Sequence, residues 1–243
     1  MIQNFKGLIL RKRPFTENDG IVSLLTEDGF RHDAIVKGLH ANTSKRRSHL
    51  EVMNWVQGTL YQSKANMYLQ DVRCESSFSV LKNDWDKLMA GQLLLEITEK
   101  SLMENHAHPE IYELLLNTFS ELNSENCAKA TLSTALTKLA QELGILPSFK
   151  QCSLCHQKIE TDEAFWHSEA GTLSCQSCAP THAKHLPLRY RKALEFFRIH
   201  SFKESLQVQL SPQDQSSLEY FLPELFTAHL HYPLKSLSWM GSE

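Results

Sequence analysis

Two Cys-x-x-Cys pairs constrain this chain more than any other feature. Cys152-Ser-Leu-Cys155 is followed, after nineteen residues, by Cys175-Gln-Ser-Cys178. Each pair offers two thiolates from one tight turn, and the stretch between is long enough for a hairpin that returns the second pair to the first. Four thiolates in a tetrahedron suit Zn²⁺ and leave no coordination position open for water. The metal expected on Cys152, Cys155, Cys175 and Cys178 is therefore structural. Four of the six cysteines lie in this one segment, which speaks against scattered buried thiols. Disulfides are the other alternative, disfavoured in a reducing compartment. His156, His167, His182 and His185 crowd the same region and offer a substitute for one thiolate. A thioredoxin-like redox pair would want a βαβ context, which is not visible here.

Ahead of the cysteines, the first 75 residues read as strands. Residues 2–13 alternate, with Phe5, Leu8 and Leu10 apolar, and Asn18-Asp19-Gly20 signals a turn. Ile21–Thr26 is a second strand, Glu27-Asp28-Gly29 a hairpin connection, and Phe30–Lys37 a third strand stopped by Gly38. Residues 39–49 form a polar loop with Ser44-Lys45-Arg46-Arg47-Ser48-His49. Glu51–Tyr61 and Met67–Cys74 complete five short strands, the count of a small oligonucleotide-binding (OB) barrel, although an SH3-like barrel satisfies it too.

After Ser76 the apolar period lengthens to that of helices, with stripes through Trp85–Leu102, Ile111–Leu122 and Leu132–Leu143 and a stop at Gly144. The cysteine segment follows, carrying a hairpin around Glu169-Ala-Gly171. A helix from Leu188 is expected to turn Tyr190, Leu194 and Phe197 inward and Arg189, Arg191, Lys192 and Arg198 outward. A last helix from Pro212 should be interrupted or kinked at Pro223. The fold class expected is α+β: an OB-like barrel over 1–76, then a helical domain in two parts, 77–149 and 182–243, with the four-cysteine zinc segment, 150–181, embedded between them.

A hydrophobic content of 42% and a charged content of 22% place the chain among ordinary globular proteins. No apolar run approaches a membrane span, and Met1-Ile-Gln-Asn-Phe-Lys lacks a signal-peptide pattern, so a cytoplasmic protein without a membrane partner is expected. The net charge of −3 conceals an asymmetry: residues 1–75 carry eleven Lys/Arg against eight Asp/Glu, and the remainder fourteen against twenty. A mildly basic end on an acidic body is compatible with a nucleic-acid face, as it is with scattered surface lysines.

Lys45, Arg46 and Arg47 are suited to phosphate backbone, and Lys12, Arg13, Arg31 and Lys37 can share their face if the barrel closes. A solvated loop is the plain alternative. Trp55, Tyr61 and Tyr68 are candidates for base stacking, Trp55 being the best suited of the three to the core. No phosphate-cradling glycine loop, G-x-S-x-G elbow or H-E-x-x-H pair occurs, so no enzymatic activity is expected. Cys74 and Cys127 are isolated and read as buried small apolar residues.

Glu17-x-Asp19-x-Ile21-Val22, then Leu25-Thr26-Glu27-x-Gly29, then Val36-Lys37-Gly38 ahead of a basic loop, the two cysteine pairs and a closing Leu234-Lys235-Ser236-Leu237 occur in one order. In this the chain resembles the bacterial recombination mediator family RecO over nearly its whole length. It departs at Leu39-His40 and Asn42-Thr43, where the family commonly has small and basic residues. The resemblance implies an OB barrel on a helical domain with an embedded zinc site. It implies binding of single- and double-stranded DNA, annealing of complementary strands, and assistance to recombinase loading on strands coated by single-strand-binding protein. It also implies partnership with RecR and with the acidic C-terminal tail of the single-strand-binding protein, and association with the nucleoid during repair. By position it makes Lys37 and the Lys45–Arg47 loop the DNA contacts and the four cysteines the metal ligands. A different class of function stays open: a zinc-stabilised protein-interaction adaptor with little DNA affinity.

Overall fold

A computed structural model describes residues 2–41, 46–103, 106–124 and 127–240. The chain divides into two compact units, residues 1–126 and 127–243. In the first, β1 (Ile2–Pro14), β2 (Gly20–Thr26), β3 (Arg31–Val36), β4 (Trp55–Gln62) and β5 (Met67–Ser76) close a barrel in the order β1-β2-β3-β5-β4. All pairings are antiparallel except β3 with β5. This is a five-stranded, OB-like barrel. A register shift between Ile9 and Arg11 bends the long first strand, which pairs with β2 and β4 at once.

The strand alternation sorts the side chains. Ile9, Val22, Leu24, Ala34, Val36, Val56, Leu60 and Leu69 fill the interior, and Leu39 and Leu50 plug it from the β3–β4 connection. Helices α1 (Ser79–Asn83), α2 (Trp85–Ser101) and α3 (Pro109–Leu122) pack beside the barrel. The Asp84 carboxylate accepts the Lys87 N–H at the start of α2, and Pro109 occupies the first turn of α3. Gly29, at φ 84°, turns β2 into β3, and its carbonyl accepts the His108 N–H at 2.9 Å. A Cβ there would lie 2.2 Å from the Pro109 nitrogen, so only glycine lets the turn seat against α3. Trp55 also belongs to this contact. It is half-buried, and its Nε1 donates to the Tyr112 hydroxyl at 2.9 Å.

In the second unit α4 (Ala128–Glu142) packs against α5 (Leu188–Ile199), α6 (Phe202–Ser205) and α7 (Pro212–Leu230), and α8 (Leu237–Met240) ends the described chain. Between α4 and α5, β6 (Ala164–His167), β7 (Thr172–Cys175) and β8 (Lys184–His185) form a small sheet in the order β7-β6-β8. Trp166 of β6 is buried edge-on against Phe221 of α7, with ring centroids 4.8 Å apart.

Two expectations are corrected and one is narrowed. Of the two outcomes expected at Pro223, interruption does not occur, since helix α7 is continuous from Pro212 to Leu230 with Pro223 inside it. A proline removes only one donor, and buried Phe221, Leu222, Leu225 and Phe226 hold the turns on both sides. Arg191 does not face outward: it is 2% exposed, because three loop carbonyls converge on its guanidinium. Cys127 is exposed rather than buried, since it stands just ahead of α4. No helix among the described residues is long and apolar enough to cross a membrane.

Candidate nucleic-acid interface and metal centre

The pairing register places Arg13 beside Ile21, Ile21 beside Ile35, Ile35 beside Tyr68, Tyr68 beside Tyr61, and Tyr61 beside Ile2. Their chain neighbours Val22, Val36, Leu60 and Leu69 point inward, so this row lies on the outer surface of the barrel. Its centre is apolar and aromatic. Tyr61 and Tyr68 are 6.5 Å apart, tilted by 34°, and Tyr61 is exposed. Lys37 stands just past β3, two residues beyond Ile35, within electrostatic range of Tyr68. Phe15, on the loop between β1 and β2, is 52% exposed.

That loop is latched to the chain after β3. The Asp19 carboxylate accepts Lys37 Nζ at 2.7 Å through one oxygen and the Gly38 N–H at 2.9 Å through the other. The His40 N–H donates to the Asn18 carbonyl at 2.9 Å. Gly38 has φ 67°, a left-handed conformation that presents its N–H to Asp19 without a Cβ penalty. The hydrogen bond from Lys37, then that from Gly38, hold the Asp19 carboxyl below its ordinary value, and Asp19 raises Lys37 in return.

The predicted DNA contacts fall into different surroundings. Lys37 belongs to the aromatic row. Arg13 is in the row but bridges Asp33 at 2.7 Å, and Asp33 also accepts the Ser23 hydroxyl. Lys12 is likewise paired, with Glu51 at 2.7 Å, as is its neighbour Arg11, not itself a predicted contact, with Glu99 at 2.9 Å. Arg31 is tied to the end of α2, its Nη1 donating to the Glu99 and Leu102 carbonyls at 2.8 and 3.2 Å. Arg46 and Arg47 begin the turn that leads to β4, Arg47 exposed, and neither has an ion pair among the described residues. Lys45 lies outside the described residues.

The four predicted cysteine ligands converge. Their sulfurs lie within 4.8 Å of one another, and Cys155 and Cys175 are 3.8 Å apart. Zn–S bonds of about 2.3 Å in a tetrahedron require sulfurs about 3.8 Å apart, so the donor set fits zinc in both chemistry and spacing. The first knuckle is a tight turn in which the Cys152 N–H donates to Gln157 and the His156 N–H to Cys152. His156 turns the chain back at φ 59°. The second opens where β7 ends at Cys175 and passes into a 3-10 turn, Gln176–Cys178.

Burial raises the Cys152 thiol, but backbone N–H groups of Cys155, Cys175 and Leu154 outweigh it and hold the thiol down to about 6. Cys178 is pushed up to about 12, chiefly by hydrogen bonds with the Cys175 and Cys155 thiols. Without a cation Cys152 gives up its proton readily while Cys155 and Cys178 are held against doing so; a divalent metal removes that penalty. No histidine joins the group among the described residues. His185 instead lies 3.6 Å from Asp162.

Two features escaped the sequence reading. Arg191 joins the cysteine segment to α5: its Nη1 donates to the Phe149 and Ile159 carbonyls at 3.1 and 2.9 Å, and its Nη2 to Thr161. Beside it opens a groove of about 550 Å³ lined by Phe149, Ile159, Leu188, Phe196 and Ile199. Lys158 and Lys192 stand on its rim without ion pairs among the described residues, whereas rim residue Lys150 bridges Glu195 at 2.9 Å. The run of cations in α5 signalled charge here, but no sequence pattern showed which of them turns inward.

Two family models match the chain. One described as "Recombination protein O N terminal" covers residues 1–78, and one described as "Recombination protein O C terminal" covers residues 82–238. Proteins named "DNA repair protein RecO" are similar along nearly the whole length. That of Dehalococcoides mccartyi is 26% identical over 239 residues, which is 98% of this chain and 94% of the relative. That of Bacillus pumilus is 26% identical over 245 residues, 99% of this chain and 94% of the relative. That of Streptococcus suis is 22% identical over 233 residues, 95% and 88%. With both halves matched in order, the chain belongs to the recombination protein O family, whose relatives named above are DNA repair proteins.

Proposed function

We propose that the chain acts in DNA repair and recombination as a mediator without chemistry of its own. Its barrel binds single- and double-stranded DNA, brings complementary strands together, and works with RecR to assist recombinase loading on strands coated by single-strand-binding protein. The observation that carries this reading is the Tyr61–Tyr68 pair, Tyr61 exposed and Tyr68 partly so, near Lys37 on an OB-like barrel. Aromatic rings stack bases whatever the sequence, each stacked base worth about 1–3 kcal/mol, and a neighbouring cation meets the backbone. Lys37, Lys45, Arg46 and Arg47 are the proposed phosphate contacts. Arg13 joins them when its bridge to Asp33 opens, and Arg31, committed to two carbonyls, adds only its charge.

In this reading Cys152, Cys155, Cys175 and Cys178 hold a structural Zn²⁺ that fixes the segment between α4 and α5. The groove beside Arg191 receives the acidic C-terminal tail of single-strand-binding protein. Its apolar floor suits a buried apolar side chain, and Lys158 and Lys192 suit carboxylates.

The test is fluorescence anisotropy and annealing of complementary oligonucleotides across a salt series. Binding that weakens with salt, and falls for all sequences alike when Lys45, Arg46 and Arg47 are replaced together by Gln, supports the reading. Affinity unchanged in that variant removes the loop from the interface. Weak, salt-insensitive binding by the unmodified protein favours a protein-interaction adaptor, a reading supported by the ion pairs that already occupy Arg11, Lys12, Arg13 and Lys37.

A further inference from the structure

We infer that Asp19 is a built-in competitor for the DNA phosphate at Lys37, a positioning residue that sets how tightly the barrel holds a strand; this rests on the barrel reading above. The pair is asymmetric. The Asp19 side chain is only 13% exposed and Lys37 is 66% exposed. The carboxylate is fixed independently of the lysine, because its second oxygen accepts the Gly38 N–H at 2.9 Å. The loop that carries it is held further by the bond from His40 to Asn18. The ammonium has no such second tether among the described residues, where its one hydrogen bond is to Asp19. Lys37 can therefore leave while Asp19 stays in place.

The lysine is the exposed member of the pair, so a phosphate at the same distance can take the place of the carboxylate at its ammonium. What remains afterwards is a fixed negative charge beside the DNA backbone. That charge lowers affinity and recruits a cation, which offsets part of the counterion release that drives binding. Asp19 thus makes the Lys37 contact an exchange between two anions. A contact of this kind is easily given up, as a protein that must release annealed strands requires. The neighbouring bridge of Arg13 to Asp33 differs, since Asp33 is also held by the Ser23 hydroxyl and is part of the barrel wall.

The substitution that isolates the charge is Asp19→Asn. An amide oxygen can still accept the Gly38 N–H, and the amide nitrogen turned toward Lys37 frees the ammonium. Binding of a fluorescent single-stranded oligonucleotide is measured for the unmodified protein, Asp19→Asn, Lys37→Gln and the double variant, each over a salt series and each with its thermal unfolding recorded. Asp19→Asn is expected to bind about three- to tenfold more tightly and to steepen the log–log salt slope by up to about 0.7, the contribution of one phosphate contact to a single strand. The gain is expected to vanish in the Lys37→Gln background. Lys37→Gln that weakens binding together with Asp19→Asn that binds equally or more weakly, at unchanged unfolding temperature, would overturn the competitor role alone. A gain that persists in the Lys37→Gln background would overturn it as well. Lys37→Gln without effect on binding would overturn the barrel reading beneath it.

Discussion

The barrel and the cysteine segment solve the same problem by opposite means. The barrel closes through ladders on every strand and a continuous core from Phe5 to Val72. The stretch between α4 and α5 has strands of two to four residues, one bridge between Gln151 and Lys158, and a small set of buried side chains including Phe149, Cys152, Ile159 and Trp166. Backbone hydrogen bonds close the first region. The second has only short ladders, and it adds four converged thiols and one buried guanidinium. The difference teaches where substitution should be felt most in the fold: at a few polar groups of the cysteine segment, rather than on the polar surface of the barrel.

Removal of the proposed Zn²⁺ should break that comparison most visibly. A strong chelator, or Cys152→Ser, is expected to expose the amides of residues 150–186 to hydrogen exchange while β1–β5 stay protected. Structural zinc contributes apparent free energies of about 10–16 kcal/mol in small zinc peptides, so the loss should be large. Equal loss of protection in the barrel, or none in the cysteine segment, would contradict the division.

Arg191→Met comes next. It keeps the bulk and removes donors to the Phe149, Ile159 and Thr161 carbonyls. Buried acceptors left unpaired cost roughly 1–3 kcal/mol each, partly recovered by relaxation, so a loss of about 2–4 kcal/mol is expected in urea unfolding. A loss under about 0.5 kcal/mol would show that the clamp is dispensable.

The smallest effect expected is on the pH dependence of the second unit. The Glu195 carboxyl is held down to about 2, mainly by the Arg198 hydrogen bonds, with Lys150 assisting against the effect of burial. A folded-state value below the ordinary 4.5 means that the carboxylate stabilises the folded chain above pH 4.5. That contribution falls away as the pH drops from about 4.5 toward about 2. With Lys150 and Arg198 both well exposed, screening reduces it to on the order of 1 kcal/mol. Glu195→Gln should remove this part of the acid sensitivity, and thermal unfolding from pH 5 to 2.5 checks it.

What could be read in advance follows the same divide. Asp28-Gly29 between the apolar runs of Ile21–Thr26 and Phe30–Lys37 declares a hairpin, because turn geometry acts over a few residues. The cysteine spacing declares a metal site because the ligand turn is equally local. Asp19 and Lys37 meet across eighteen positions, and nothing near either one announces the other. Arg191 sits among cations on α5, where its neighbours Arg189 and Arg198 do find carboxylates. Only the placement of the carbonyls at 149, 159 and 161 makes it a buried clamp. Pro223 reads as a break or a kink, since the packing that carries α7 past it comes from distant parts of the chain.

The measurement that bears most directly on the proposed division of labour is an annealing assay on naked and on protein-coated complementary strands, run with two variants. Lys37→Gln/Tyr68→Ala alters the barrel face, and Lys158→Glu/Lys192→Glu alters the groove beside Arg191. The barrel variant is expected to anneal slowly on both substrates, while the groove variant is slow only when single-strand-binding protein coats the strands. A barrel variant that anneals naked strands as fast as the unmodified protein would contradict a DNA-binding role for the barrel face.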